Sequence, residues 1–333
     1  MRAAIATASN DHRLGANEAP PAIMSVYLGT QLEEVFEQIK TGTVTESKQK
    51  GVMDLGVDVL PDLTKDAGDR NRTSPFAFTG NRFEFRAVGS NQSVSGPLIV
   101  LNTMLADSLE WMANRLESEF AKGLDENTAI LTVLKEVMEE HSAVVFGGNG
   151  YSSEWHQMAV DERGLANLPT TADALPVLKE DYIEDLFRKT GVLTPVELES
   201  RFEVYAEQYI LSIEVEAKLV VNMAKTMIYP AAVEYLSQLS STLSGLSNLG
   251  VTLEQGPAQT VANLANSMMA TVAKLSAACD KHDFADTAEK MRYCAFTVRP
   301  LMDEVRGYAD ALEGEIADSC WPLPTYQEML FIK

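Results

Sequence analysis

The chain has 333 residues, a net charge of −21 and 46% hydrophobic residues, the proportions of an ordinary globular protein. An acid excess of that size excludes a generally basic nucleic-acid binder and disfavours an anionic membrane surface. No run of about 18 apolar residues is present to span a bilayer, and Cys279, Cys294 and Cys320 form no CxxC pair and read as reduced thiols in a cytoplasmic protein.

Residues 10–21, Asn-Asp-His-Arg-Leu-Gly-Ala-Asn-Glu-Ala-Pro-Pro, are polar and punctuated by Gly and Pro. They read as a loop that carries Arg13 and Glu18 five positions apart. Residues 22–40 place Ile23, Val26, Tyr27, Leu32, Val35, Phe36 and Ile39 at helical spacing, and Pro20 and Pro21 suit a helix start. Residues 41–50 read as a polar loop and residues 52–60 as a strand. Two short strands, at 76–78 and 82–86, fit a hairpin across Thr79-Gly80-Asn81. Side chains alternate along a strand, so Arg82, Glu84 and Arg86 share one face, with Phe83 and Phe85 turned to a core behind it.

From residue 96 the spacing turns helical. Segments 98–121 and 127–141 predict helices, the second capped by Asn127 or Thr128. Residues 146–153 are a loop, 153–163 a short helix ended by Gly164, and Thr170-Thr171-Ala172-Asp173 opens another. Thr194-Pro195-Val196-Glu197 is an N-cap, an N1 proline and a helix start. It precedes a long run, 196–246, with an interruption expected at Pro230. Two more amphipathic stretches, 257–281 and 283–312, argue a helical bundle, and the tail from Trp321 reads as an extended piece packed back on the body. The expected class is α+β: antiparallel strands with helices over residues 1–190, then a mostly helical domain over 191–333.

The chemistry points to one stretch. Between Arg70 and Arg86 there are four arginines (Arg70, Arg72, Arg82, Arg86) and a single acid, Glu84, inside an otherwise acidic chain. Arginine offers a rigid fork of donors that fits carboxylate and phosphate oxygens two at a time. Glu84 between two arginines stays ionised and can take a hard divalent cation while the arginines hold an anion. Surface ion pairing is the plainer alternative. Other motifs carry less. Phe146-Gly-Gly-Asn-Gly-Tyr lacks the Gly-Lys-Ser/Thr ending of a P-loop and reads as a structural turn. His141 and His156 have no zinc-ligand spacing, and Met223, Met227, Met268 and Met269 read as core filler.

Two of these segments resemble the active-site loops of glutamine synthetase, in particular its long type III class. SNDHRLGANEAPPA resembles the family's substrate loop, and NRTSPFAFTGNRFEFRAVGSNQSVSGP its Asn-Arg-(Ser/Thr) turn and Arg-x-Glu-x-Arg strand. The ending WPLPTYQEMLFIK is similar to the type III C-terminus. The resemblance implies ATP-dependent ligation of ammonia to L-glutamate through a γ-glutamyl phosphate, with Mg2+ or Mn2+. It implies that Arg13 holds the glutamate carboxylate and Glu18 lies on a flap closing over the site. Arg72 would contact the transferred phosphoryl group, and Arg82 the nucleotide phosphates. Glu84 would be one ligand of the metal, and Arg86 would bind glutamate or the phosphoryl group. It further implies a homo-oligomer, a dodecamer of two hexameric rings, and that this chain is a C-terminal portion containing part of the catalytic domain.

There are departures from the pattern. Ala77 stands where the short classes usually carry a further arginine, and His12 where a lysine often stands. The family's other metal ligands precede the substrate loop, so the site expected here is incomplete. Two other readings stay open: a non-catalytic helical oligomerisation or interaction module, and an unrelated carboxylate–amine ligase.

Overall fold

A computed structural model describes residues 1–16, 19–42, 52–53, 63–64, 74–89 and 91–330. These form two compact units, Met1–Phe202 and Glu203–Lys333. Helices dominate both, and the α+β character rests on a small three-stranded sheet in the first unit and a two-stranded one beside it in sequence.

The first unit opens with a short helix where a loop was expected. α1 (Ala8–Arg13) forms because the Thr7 side chain accepts from the Asn10 N–H and caps it. The predicted helix over 22–40 starts late. Residues 26–27 are a strand, β1 (Val26–Tyr27), and the helix proper is α2 (Thr30–Thr41), begun after Gly29 at φ +79° and ended by Gly42 in the left-handed region. The apolar residues up to Tyr27 instead serve the sheet and the core around Ile23. Of the strand expected over 52–60, only β2 (Val52–Met53) is described, paired antiparallel with β3 (Leu63–Thr64); the rest lies outside the described residues.

The hairpin forms as expected. β4 (Phe76–Phe78) and β5 (Phe83–Phe85) pair antiparallel with Phe76 opposite Phe85, Ala77 opposite Glu84 and Phe78 opposite Phe83. Gly80, at φ +99°, makes the turn possible, and the Thr79 N–H closes it on the Arg82 carbonyl at 2.9 Å. The sheet is not purely antiparallel, because β1 runs parallel to β4 on its other edge. The face opposite Glu84 holds the phenylalanine pairs, Phe76 on Phe85 at 4.7 Å and Phe78 on Phe83 at 5.3 Å. That face is only partly covered: Phe83 is 55% exposed, so a complete core behind the strand is not what the structure shows.

Helices follow. α3 (Ser95–Ala121) packs on α4 (Glu126–His141), whose cap is Asp125 rather than Asn127 or Thr128: its carboxylate accepts from the Thr128 N–H. α5 (Ser153–Asp161) is capped by Ser152 and buries Trp155 against Ile23 and Phe146. α6 (Thr171–Ala174) begins with a full Thr170–Asp173 capping box. α7 (Asp181–Thr190) stops at Gly191 in the left-handed region, and α8 (Pro195–Met223) starts at the expected Thr194–Glu197 cap, with the Thr194 N–H donating to Glu197 at 2.8 Å.

In the second unit the expected break at Pro230 does not occur. A five-residue π turn, Ala224–Ile228, carries the chain from α8 into α9 (Tyr229–Asn248). Proline lacks an N–H and its ring collides with the carbonyl four residues back; widening one turn removes the collision and lets the helix continue. The same device recurs between α11 (Thr287–Tyr293) and α12 (Arg299–Glu315), where the π turn Cys294–Val298 precedes Pro300. α10 (Gly256–Cys279) is the centre of this unit. Its Val261, Ala265, Met268, Val272 and Leu275 are buried at alternating three- and four-residue spacing and face α9 and α12. Met268 is core, as expected. The three cysteines are free. The tail packs back through Gln238, which donates to Cys320 Sγ, before α13 (Tyr326–Leu330).

Candidate functional site

The hairpin delivers its three charged residues as one group. Arg82 leaves the turn, Glu84 is the centre of β5 and Arg86 follows it, so the period-two alternation sends all three to the Ala77 side. The Glu84 carboxylate is gripped at both oxygens. Arg82 donates to Oε1 from Nε and Nη2, at 3.2 and 2.9 Å. Arg86 donates to Oε2 from Nε and Nη2, at 3.3 and 3.2 Å. Hydrogen bonds from Arg82 first, then from Arg86, hold this carboxyl below its ordinary value, so the expectation that it stays ionised agrees with its surroundings.

The two arginines differ in setting. The Arg82 side chain is 69% exposed and can swing to a ligand, whereas that of Arg86 is 20% exposed and is fixed at the strand. Its backbone N–H donates to the Pro75 carbonyl at 2.7 Å. Ala77 is fully buried opposite Glu84, so nothing cationic faces the carboxylate from that position.

Arg13 is carried by α1 rather than by the hairpin. It is exposed at the last turn of α1. That helix is nonetheless tied to the loop leaving Arg86: Ser9 donates to Asn91 at 3.0 Å and Gln92 donates to the Ala6 carbonyl at 3.4 Å. Glu18 and Arg72 lie outside the described residues.

What holds α1 in place could not be read from the sequence. Asp11 is buried, and its Oδ1 accepts from both the N–H and the hydroxyl of Thr171, at 2.7 and 2.8 Å. It thereby also caps α6, 160 positions away in the chain. The buried Arg2 lies 3.9 Å from Asp11 and donates to the carbonyls of Leu168 and Pro169. Burial pulls the Arg2 guanidinium down to about 10, against the opposing pull of Asp11. The capping residues at 170–173 were legible; a long-range acid joining them was not.

The triad can bind an anion through Arg82 and Arg86, and Glu84 can offer one hard oxygen donor to a cation. It does not make a metal site by itself. Among the described residues there is no group of three or more histidine, cysteine or carboxylate side chains placed to hold a metal ion. No described helix is long and apolar enough to cross a membrane.

The family model of the glutamine synthetase C-terminal domain matches residues 129–247. The chain is 40% identical over its whole length to a type-3 glutamine synthetase of Dictyostelium discoideum, covering 46% of that protein. It is 34% identical to a glutamine synthetase of Bacteroides fragilis and 36% identical to one of Butyrivibrio fibrisolvens, covering 47% of each. The chain is thus similar to glutamine synthetases along its length, in particular to one of type 3, while spanning about half the length of the curated relatives it matches.

Proposed function

We propose that this chain supplies the anion-holding strand of a glutamate–ammonia ligase, as an incomplete C-terminal portion of the enzyme. The reaction is ATP-dependent ligation of ammonia to L-glutamate through a γ-glutamyl phosphate. The observation that carries this reading is the Arg82–Glu84–Arg86 group on and beside β5, held together by paired hydrogen bonds, in a segment that resembles the family's Arg-x-Glu-x-Arg strand. Relatives named glutamine synthetase match the chain over essentially its whole length, which favours the ligase over a purely non-catalytic helical module.

The roles are those that the resemblance to glutamine synthetase implies, and the chemistry of the groups is compatible with them. Phosphoryl transfer asks for positioning and neutralisation of charge more than for covalent help. Arg82, the more exposed cation, meets the nucleotide phosphates. Arg86, fixed at the strand, holds the glutamate or the phosphoryl group in transfer. Arg72 joins that phosphoryl contact, Arg13 takes the glutamate carboxylate and Glu18 closes the flap that keeps water from the acyl phosphate. Glu84 contributes one donor to Mg2+ or Mn2+. A bound divalent cation would neutralise charge on the phosphate oxygens. The lone ionised carboxylate fits a one-ligand share of such a site and no more. Each Glu84 oxygen is occupied by an arginine, so cation binding requires at least one of them to release it. We further place the enzyme in the cytoplasm, as a homo-oligomer in the form of two stacked hexameric rings.

The test is made in the assembled enzyme that contains this chain. Arg86→Ala and Glu84→Ala should each lower ligase turnover by about a hundredfold or more, while sedimentation shows unchanged assembly. Full turnover in both variants would overturn the site assignment.

A further inference from the structure

α8 is apolar on two faces. On one of them Tyr209, Ile210, Ile213 and Ala217 are buried. On the other, Val204, Leu211, Val215 and Leu219 are each close to half exposed or more. A helix with two apolar faces has reason to bury both, and among the described residues nothing covers the second.

The charge beside the stripe marks out the occupant. Glu207 and Lys218 are both exposed and stand eleven residues apart. Eleven residues make close to three whole turns, so the two lie on the same side of the helix and border the stripe together. Glu214, further round that side, is already engaged by Lys290 at 2.7 Å. The border thus carries an acid in the N-terminal half of α8 and a base in the C-terminal half. The pairs Glu207 and Lys218, Leu211 and Val215, and Val204 and Leu219 are all centred near position 212.

A two-fold axis at that level lays a second α8 antiparallel on the first. Like borders then face each other, so the acid of one copy meets the base of the other. Leu211 comes against Val215, and Val204 against Leu219, across the same axis. Two chains of net charge −21 repel at long range, so their contact needs apolar burial joined to matched charges. An unrelated partner would not require opposite charges set symmetrically about the middle of the stripe.

We propose that the exposed face of α8 binds a second copy of this chain as an antiparallel two-fold helix pair, bordered by reciprocal Glu207–Lys218 ion pairs. This names one contact of the homo-oligomer proposed above and rests on that reading, but not on the ligase chemistry.

Sedimentation velocity of the assembled protein at low salt tests it. Glu207→Lys and Lys218→Glu each set two pairs of like charges face to face. Each should weaken this association by about tenfold or more, with helical circular dichroism unchanged. Both changes combined in one chain recreate the opposite pairs, so association should return. Co-production of the two single-variant chains should restore it too, because unlike copies then match. Single variants that associate as the wild type does, or a combined variant no better than the singles, would overturn the proposal and leave the oligomer to another face. A wild-type protein that is monomeric throughout would overturn it together with the homo-oligomer reading, and leave the stripe to a different protein.

Discussion

Glu84 accepts from two guanidinium groups at once, and its carboxyl is therefore easier to ionise in the fold than in the unfolded chain. The sign of the consequence is fixed. A carboxyl lowered by folding adds stability above its unfolded value, near 4.5, and loses that contribution as pH falls through its folded value. Carbon-13 NMR of glutamate side chains should show Glu84 titrating below 4.5, and Arg82→Ala, which removes the larger influence, should move it back up more than Arg86→Ala does. An unchanged midpoint in Arg82→Ala would show that the grip is not present in solution. At this scale much was legible from the sequence. Period-two alternation along a strand puts Arg82, Glu84 and Arg86 on one side, and two flanking arginines suffice to predict the charge of the acid. The paired grip on both oxygens was not legible, because it depends on side-chain conformations that no spacing specifies.

Local chemistry set most elements, and their failures share a cause. The caps at Thr170 and Thr194 act within three residues, and both formed as read. The helix over 22–40 was over-extended because apolar residues at Ile23 and Val26 serve a core and a sheet whose partners, Trp155 and Phe76, lie far along the chain. The sequence predicts a break at Pro230 because a helix without neighbours would break there. The second unit retains it with a π turn, and repeats the device at Pro300. Long-range fixation also governs α1. Asp11→Ala would strip the acceptor from two Thr171 donors and leave the Arg2 guanidinium buried without its carboxylate. The expected loss is about 3 kcal/mol, read as a lower denaturant midpoint in the first unit. A loss within experimental error would mean that α1 is held by its apolar contacts alone. In the second unit, Leu275→Ala removes a fully buried side chain from the centre of α10 and should cost about 2–5 kcal/mol.

At the scale of the whole molecule the open question is what covers the surface that remains apolar. α8 leaves Val204, Leu211, Val215 and Leu219 exposed by 45%, 59%, 65% and 54%, at seven- and four-residue spacing along one side of the helix. A stripe of that regularity is costly in water, and a chain of net charge −21 would otherwise repel its copies. Sustained apolar spacing against a general repulsion is what a specific helix-to-helix interface requires. The proposed homo-oligomer would use this stripe. Leu211→Glu with Leu219→Glu should then shift sedimentation of the assembled protein to smaller species at low salt, and added salt should partly restore assembly by screening the new charges. Both substituted residues are exposed, so the helical circular dichroism should be unchanged. An unaltered sedimentation profile with intact helicity would place the oligomer contact on another face and leave the stripe to a different partner.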